Sequence, residues 1–322
     1  MNLLRRGLLA ALFATLAVPA LAQSYPSKAI RVIVPFPAGG GTDIIARVVT
    51  NKLSTSLGWS FVIENRPGSG GNLGVDATAK AMADGYTLAL GQTSNLAINP
   101  TLYRKMPYDS VKDLAPVGLV ASAPLVMVVA ADSPYKTLAD VVNASKAKPA
   151  SINFASPGNG TVAHLASELF QKTAGIKFTH VPYKGAAQAA TDLIGGQVQL
   201  YMSSVPTLIG HIKNGKMRAI AVTSLNRLDD LSQVPTVAES GYKGFEAVTW
   251  FGFVAPAAVP KDVVQLLNTE INTALKAADV QKKLDDQGAD VKGGTPAQFA
   301  ALIKSDITRW APIIKESGAT LD

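Results

Sequence analysis

The sequence contains no cysteine. This absence excludes disulfide bonds, thiolate catalysis and cysteine-ligated zinc, and it excludes a lipid-modified cysteine at an export cleavage site. Histidine is scarce: the chain has three, and no two of them have the spacing of metal ligands. We therefore expect no bound metal and no cofactor.

The motifs of common catalytic sites are also absent. The sequence has no G-x-S-x-G elbow, no S-x-x-K motif with its usual companions, and no Walker A lysine after Gly39–Gly41. Asp43 and Asp192 are candidate acid or base groups, but neither has an identifiable partner. We interpret Asp43 as a first-turn charge that favours the helix dipole, and Asp192 as solvated or orienting a neighbour. The sequence therefore favours a protein that is not an enzyme.

The histidines are assigned to ordinary positions. The helical pattern puts His164 on the polar side of its helix, with Glu168 and Gln171. His180 is predicted to lie in a loop, and His211 in a short surface helix.

A hydrophobic run near the N-terminus follows a pair of basic residues. Arg5-Arg6 precede the apolar run Gly7–Val18 and the small-residue motif Ala20-Leu21-Ala22, a pattern that predicts a signal peptide over residues 1–22. The apolar run is too short to span a membrane comfortably. We expect export by the general secretory route, cleavage after Ala22, and a freely soluble protein in the periplasm.

A second apolar stretch, Ala115–Ala131, does not predict a membrane span. Pro116, Gly118 and Pro124 divide it into two pieces of strand length.

Basic residues outnumber acidic ones, 30 against 23, for a formal net charge of +7. They are dispersed and do not cluster with aromatic residues, so nucleic-acid binding is not expected. The charge instead indicates a mild preference for small anionic ligands.

The most informative stretch is Ile30–Val34 followed by Pro35–Asp43. An apolar run too short for a helix leads into three glycines, and helical spacing begins after them, so we predict a strand, a loop and a helix N-terminus. The first N–H groups of a helix have no partner within it and carry the positive end of its dipole. Such a junction binds an anion or is simply a tight turn, and the stretch alone does not decide between them.

A second junction of the same kind occurs later in the chain. The strand Ile152–Ala155 leads into Ser156–Thr161, and a helical stripe begins at Val162. Two glycine-rich junctions in separate domains suggest two jaws that offer backbone N–H groups to a ligand held between them.

Strands alternate with helices along most of the chain, which predicts an α/β protein with parallel sheets. Ligands bind such sheets at the carboxyl ends of the strands. The turn Gln92–Asn95 and the pair Ser203-Ser204 both follow strands, so they are expected at that edge.

The chain is long enough for two domains. Val117–Val120 and Leu125–Val129, separated by a Ser-Ala-Pro break, are predicted to carry the chain into the second domain, and Val248–Val254 to carry it back. Two linking strands form a hinge on which the domains close.

The predicted domain boundaries follow from these crossings. Domain I is expected at residues 23–122 plus 247–322, and domain II at residues 123–246.

An ordered set of motifs resembles the Bug family, the TctC-like substrate-binding proteins of tripartite tricarboxylate transporters. The motifs are Tyr25–Lys28, Val32–Asp43, Glu64–Gly68, Ala83–Tyr86, Phe154–Leu165, Val181–Gly185, Asp192–Gly196 and Val234–Gly241. The resemblance implies a type II periplasmic-binding-protein fold that closes like a flytrap on a small organic carboxylate. It also implies inner-membrane permease subunits as partners, and we expect a monomer.

The resemblance implies a set of ligand-binding positions in this sequence. In the family one carboxylate is held between the two loops through main-chain groups, hydroxyls and waters. The first loop corresponds to Phe36, Pro37, Ala38, Gly40 and Thr42, with Asp43 beside it, and the second to Ser156, Gly160 and Thr161. The variable part of the cleft corresponds to Gln92, Ser94, Asn95, Tyr183, Lys184, Gly185, Asp192, Ser203 and Ser204.

Two alternatives to a transport receptor stay open. One is a secreted enzyme acting on the same kind of acid, and the other is a carboxylate receptor that signals without a dedicated permease. The ligand is also open among dicarboxylates, tricarboxylates, aromatic acids, nicotinate-like acids and acidic amino acids. Lys184 either adds charge to the site or is a solvated surface lysine.

Overall fold

The computed structural model describes residues 25–317 and residue 319. The predicted signal peptide and its cleavage site lie outside these residues. Within them, no helix combines the length and the apolar character needed to cross a membrane.

Strands and helices alternate in the first part of the chain. The elements are β1 Ile30–Val34, α1 Gly41–Leu57, β2 Phe61–Asn65, α2 Asn72–Ala79, β3 Thr87–Gln92, a π-helical segment Ser94–Ile98 and α3 Asn99–Leu102. The predicted turn at Gln92–Asn95 is therefore wrong in detail, because the chain passes from β3 directly into helix.

The middle of the chain repeats this plan. Its elements are β4 Leu114–Ala130, α4 Leu138–Ala147, β5 Asn153–Ser156, α5 Val162–Ala174, β6 Thr179–Pro182, α6 Ala186–Ile194, β7 Leu200–Ser204, α7 Val205–Lys213 and β8 Met217–Val222. His180 lies in β6, so its prediction as a loop residue is wrong.

The last part of the chain is mainly helical. It contains β9 Val248–Pro256, α8 Lys261–Lys276, α9 Ala278–Asp285, β10 Asp290–Val291 and α10 Pro296–Ser317.

The strands form two sheets that share β4. In the first half of the molecule the order is β2-β1-β3-β9-β4, with β1 parallel to β2 and β3, and β9 antiparallel to β3 and β4. In the second half the order is β4-β7-β5-β6, with β5 parallel to β6 and β7, and β8 also pairs with β4. The parallel sheets predicted from the alternating pattern are present in both halves. The antiparallel pairings are those of β4 with β7, β8, β9 and β10, and that of β9 with β3.

The predicted break in β4 is absent, because Leu114–Ala130 is one strand. Its first part pairs with β9 as far as Pro124, and its second part pairs with β7 and β8 from Leu125 onward. Proline has no N–H to donate to a strand ladder. Pro124 therefore lies at the position where β4 changes its pairing from β9 to β7 and β8. The strand continues through this residue.

Thr223 ties the two crossings together. Its buried hydroxyl accepts a hydrogen bond from the N–H of Leu125 in β4 (2.8 Å) and donates one to the carbonyl of Ala247, just before β9 (2.5 Å). Backbone bonds from Thr223 N–H to Leu125 and from Ala247 N–H to Thr223 complete the link.

The C-terminal helix α10 packs on both halves. It contacts the Ser94–Ile98 segment and α3 on one side and α5 on the other. Phe299 and Trp310 are buried on its inner face, and the indole N–H of Trp250 in β9 donates to Asp306 (2.6 Å).

Replacing Thr223 by valine tests the link between the crossings. Thr223→Val keeps the shape but leaves buried groups of Leu125 and Ala247 without their partner, so we expect a loss of about 1–3 kcal/mol in the free energy of unfolding. Urea denaturation gives this value. The control is Thr173→Val, which removes an exposed hydroxyl bonded only to its own helix. Equal stability losses for the two variants would contradict the assigned role.

Candidate ligand-binding site

A cavity lies between the two halves, at the carboxyl ends of the parallel strands. It contains about 490 Å³ of empty space, part of which is open to solvent. Its lining residues are Phe36, Pro37, Gly40, Gly41, Thr42, Gln92, Ser94, Leu125, Pro157, Thr161, Val162, Ala163, Ala186, Ser203, Ser204, Thr207 and Thr249.

The first loop is fastened by Asp43. Its carboxylate accepts hydrogen bonds from the N–H of Gly39, from Nε of Arg47 and from Nδ2 of Asn65, all at 3.0 Å. Burial alone would raise the pKa of the Asp43 carboxyl, but the hydrogen bonds from Arg47, Gly39 and Asn65 hold it below its ordinary value. Gly39 adopts a φ of 79°, which favours glycine. The first-turn carboxylate thus holds the loop in shape.

Helix α1 begins at the cavity and points its first N–H groups into it. The N–H of Gly41 donates to Oγ1 of Thr207 in the second half (3.0 Å). The N–H of Thr42 has no acceptor among the described residues. The Thr42 side chain lines the cavity and is only 4% exposed, and no hydrogen bond of its hydroxyl is formed within residues 25–317.

The second loop has a matching construction. Thr161 caps α5: its hydroxyl accepts from the N–H of His164 (3.3 Å) and donates to the carbonyl of Gly158 (2.8 Å). The N–H of Val162 donates to Oγ of Ser94 in the first half (3.3 Å). The N–H of Ala163 has no acceptor in the part of the chain that the structure describes.

The two helix N-termini are therefore capped reciprocally across the cavity. A hydroxyl of each half accepts the first N–H of a helix in the other half: Thr207 for Gly41, and Ser94 for Val162. In both helices the following N–H, that of Thr42 or Ala163, remains available to a ligand.

Two histidines, His164 buried and His180 half-buried, support the second loop from behind. The rings of His164 and His180 stack with centroids 4.3 Å apart and planes 10° apart. His180 Nε2 is 2.7 Å from Oγ of Ser156, and His164 Nδ1 accepts from the N–H of Gly160 (3.4 Å). The prediction that His164 lies on the polar side of its helix is wrong, because the ring packs against β6, a partner that helical periodicity does not reveal.

Burial keeps both histidines neutral. It lowers the pKa of His164 to about 3, with a smaller contribution from the neighbouring His180, and it lowers the pKa of His180 to about 4. Neutral His164 accepts the Gly160 N–H at Nδ1, whereas a protonated ring would present a second donor there.

The floor of the cavity is built from the crossing strands. Leu125 of β4 and Thr249 of β9 line it, and the Thr249 hydroxyl contacts Oε1 of Gln92 at 3.1 Å. Ser204, at the end of β7, is 3.0 Å from Thr207 between their hydroxyl oxygens.

Half of the predicted site residues line the cavity, and the others lie around it. The lining residues are Phe36, Pro37, Gly40, Thr42, Gln92, Ser94, Thr161, Ser203 and Ser204. Those outside the lining are Ala38, Asp43, Asn95, Ser156, Gly160, Tyr183, Lys184, Gly185 and Asp192. For the whole set, contact with a ligand stays a prediction.

Several residues outside the lining have defined partners. Asn95 Oδ1 accepts from the N–H of Gln92 (3.0 Å), and the Tyr183 hydroxyl donates to Asp192 (2.7 Å). Gly185 packs so closely on Pro37 across the halves that a Cβ there would lie 2.4 Å from the proline ring. These contacts support the loops that reach the cavity.

The sequence patterns missed some residues of the site. The missed lining residues are Gly41, Leu125, Pro157, Val162, Ala163, Ala186, Thr207 and Thr249. The sequence did contain a signal for Thr207: Pro206 marks the first turn of a helix, and Thr207 follows it in α7. Thr249 is inside a strand and had no such signal.

The cavity lining has no charged side chains, and the helix ends that face it are all N-termini. Four helices, α1, α5, α6 and α7, place first-turn or capping residues at the cavity, and none of its lining side chains is ionisable as acid or base. The positive ends of four helix dipoles therefore face one space without a side-chain charge. Within residues 25–317, no group of three or more His, Asp or Glu side chains is arranged to hold a metal ion.

Two α/β halves that share a strand and enclose a cavity at the carboxyl ends of their parallel strands define the class of periplasmic binding proteins. A family model described as the tripartite tricarboxylate transporter family receptor matches residues 45–319, and the chain belongs to this family. This confirms the family that the motifs indicated, and with it the α/β binding-protein fold.

Similar proteins align over nearly the whole chain. The protein BugT of Bordetella pertussis is 41% identical over 96% of this chain and 95% of its own length. The structure of R. palustris Rpa4515 with adipate is 36% identical, with a TM-score of 0.90, and covers 92% of this chain and 100% of that one. MatC from Rhodopseudomonas palustris with bound malate is 30% identical, with a TM-score of 0.85, over 90% of this chain and 100% of that one.

The stacked pair His164 and His180 predicts a specific pH dependence of stability. An unfolded histidine takes up a proton near pH 6.5, but the folded pair stays neutral down to about pH 4, so acid favours the unfolded chain between these values. Each histidine contributes a slope of about 1.4 kcal/mol per pH unit in that window.

The double variant His164→Gln/His180→Gln should lose this slope. Urea unfolding of both proteins between pH 4.5 and 7.5 gives the two curves. Plotted as unfolding free energy against pH, the two curves should run parallel above pH 7 and converge as the pH falls. Curves that stay parallel down to pH 4.5 would contradict the assignment.

Proposed function

We propose that this protein is a periplasmic receptor that captures a small organic carboxylate between its two halves and delivers it to the permease of a tripartite tricarboxylate transporter. The observation that carries the proposal is the cavity in which the N–H groups of Thr42 and Ala163, from helices in opposite halves, have no acceptor among the described residues. The family and the carboxylates in two similar structures support the ligand class.

The chemistry of the lining favours an anion. Unpaired N–H groups at helix N-termini and a buried hydroxyl at Thr42 are hydrogen-bond donors, and hydrogen bonds to a charged acceptor contribute about 1.5–3 kcal/mol each. A carboxylate has two oxygens, which is enough to accept from both halves at once. A ligand bound in this way would hold the halves together, because each half supplies part of its hydrogen bonds.

Closure would take place about the crossing strands. Pro124, where β4 changes partners, lies beside the proposed boundary between residues 122 and 123, and Ala247 coincides with the proposed return into domain I at residue 247. The proposed domains are 23–122 plus 247–322 and 123–246. Thr223 lies at both crossings and would be the point about which the halves move.

The remaining parts of the proposal rest on the sequence and on the family. The protein acts without catalysis, as a monomer that binds no nucleic acid, and it is exported by its signal peptide, which is cleaved after Ala22. A receptor returns its ligand chemically unchanged, whereas an enzyme would convert it.

A ligand screen tests the proposal directly. The protein is unfolded and refolded to remove any co-purified ligand, and its melting temperature is measured against a panel of carboxylates. We expect a concentration-dependent rise for one class of acid, because a ligand that binds only the folded state stabilises it. The ligand recovered afterwards should be unchanged. Turnover of the acid, or no shift with any carboxylate, would overturn the proposal.

Thr42→Val tests the donor role of the first loop. Loss of one hydroxyl donor to a charged oxygen should weaken ligand binding roughly tenfold to hundredfold in calorimetry, with little change in the melting temperature of the free protein. Thr55→Val is the matched control, because Thr55 lies in the same helix and its exposed hydroxyl bonds only to carbonyls of that helix. Equal affinities of the two variants would show that Thr42 does not contact the ligand.

A further inference from the structure

Helix α7 of the second half rests on a short segment of the first half, residues 286–289, which links α9 to β10. At the start of α7, a Cβ on Gly288 would fall within 3.0 Å of Cγ1 of Val205. At the other end of α7, Nζ of Lys213 donates to the carbonyl of Asp286 (3.3 Å) and to the carboxylate of Asp230 in its own half (2.7 Å). The segment therefore contacts α7 at both of its ends.

The contact between Gly288 and Val205 lies next to the cavity lining. Val205 is fully buried, and the lining residues Ser204 and Thr207 lie just before it and two residues after it. Oγ1 of Thr207 accepts the N–H of Gly41 across the halves at 3.0 Å. N–H···O bonds have donor–acceptor distances of about 2.7–3.2 Å, so a shift of α7 away from the first half would weaken this bond. The seat of Val205 on Gly288 thus determines where Thr207 lies.

The turn at the end of α9 also favours a glycine at this position. Gly288 has a φ of 65°, its N–H donates to the carbonyl of Asp285, and the N–H of Ala289 donates to the carbonyl of Leu284. Helices often end in this left-handed turn, and glycine is the residue that enters it without strain. The glycine therefore has two separate explanations, the turn and the close approach of Val205.

The end of α5 has the same turn without a neighbour. Gly175 has a φ of 63°, its N–H donates to Lys172, and the N–H of Ile176 donates to Gln171. No atom lies within 4 Å of the place that a Cβ on Gly175 would occupy. Gly175 and Gly288 thus share a backbone conformation, and the two differ in that Gly288 faces the other half.

A second contact of this kind occurs at the first loop. A Cβ on Gly185, just before α6, would fall within 3.0 Å of the ring of Pro37, which lines the cavity. A proline ring and a valine that is branched at Cβ are both stiff, so neither moves aside as the end of a long side chain does. At both places the backbone of one half touches a rigid side chain of the other.

We infer that Gly288 and Gly185 are positioning residues that set how closely the two halves approach each other. The inference rests on the proposed function, in which donors of both halves bind one carboxylate. With glycine at both positions the halves come near enough for the bond between Thr207 and Gly41, and for N–H groups of both halves to reach the same ligand. A methyl group at either position would keep the halves apart.

Gly288→Ala tests the inference, and Gly175→Ala is its matched control. Both place alanine in the left-handed region, so both should lower the melting temperature of the free protein by similar amounts. Calorimetry with refolded protein uses succinate, L-malate, adipate and citrate as probes. Gly288→Ala should weaken the binding of every probe that the unaltered protein binds by roughly tenfold or more, because bonds from one half to a charged oxygen are stretched. Gly175→Ala should leave these affinities unchanged.

Val205→Ala supplies a rescue, because it removes the methyl group that a Cβ on Gly288 would meet. The double variant Gly288→Ala/Val205→Ala should bind the probes nearly as tightly as Val205→Ala alone, which serves as its reference. Strain in the turn is the same with either residue at position 205, so rescue would show that the loss of affinity arises from the contact between the halves.

The outcomes separate this inference from the proposed function. Equal affinities of Gly288→Ala and Gly175→Ala would overturn the positioning role and leave the carboxylate receptor standing. A loss of affinity that Val205→Ala does not repair would overturn the contact with Val205 as its cause. Binding of no carboxylate by the unaltered protein would overturn the proposed function, and this inference with it.

Discussion

Backbone N–H groups in the first turn of a helix have no acceptor in their own helix, and this constraint shapes the centre of the molecule. Helices α1 and α5 bring such groups to the cavity from opposite halves. In each helix one group is satisfied by a hydroxyl of the other half, Thr207 or Ser94, and the next, in Thr42 or Ala163, is left without a partner among the described residues. The glycine loops position these N–H groups, and the lining hydroxyls, which reach across the contact between the halves, accept hydrogen bonds from some of them.

Local features of the site could be predicted from the sequence because they depend on local patterns. The strand, glycine loop and helix start around Gly39–Gly41, and the similar stretch before Val162, were found where predicted. The alternation of strands and helices also indicated the α/β fold. Contacts that depend on how distant segments pack could not be predicted: Thr207 faces α1 across the cavity, His164 is covered by β6, and β4 continues through Pro124 because its partners change there.

A cavity without charged side chains has a particular advantage for a protein that must release its ligand. Full charge pairs inside a closed site are costly to desolvate and costly to break. Backbone N–H groups and hydroxyls divide the interaction with an anion into several moderate hydrogen bonds, some from each half. In the proposed function, separation of the halves would remove the bonds from one half and leave only the rest, so opening would weaken binding without any change in charge.

The position of β9 makes the first half discontinuous in sequence. This strand lies between β3 and β4 in the first sheet, yet it is made of residues 248–256, after the whole second half of the chain. The second sheet is complete once β8 has been synthesised. The first sheet has a gap until β9 arrives, and the packing of Trp250 is completed only by α10. The first sheet and the cavity floor, which includes Thr249 of β9, therefore depend on a segment that follows the whole second half in the sequence.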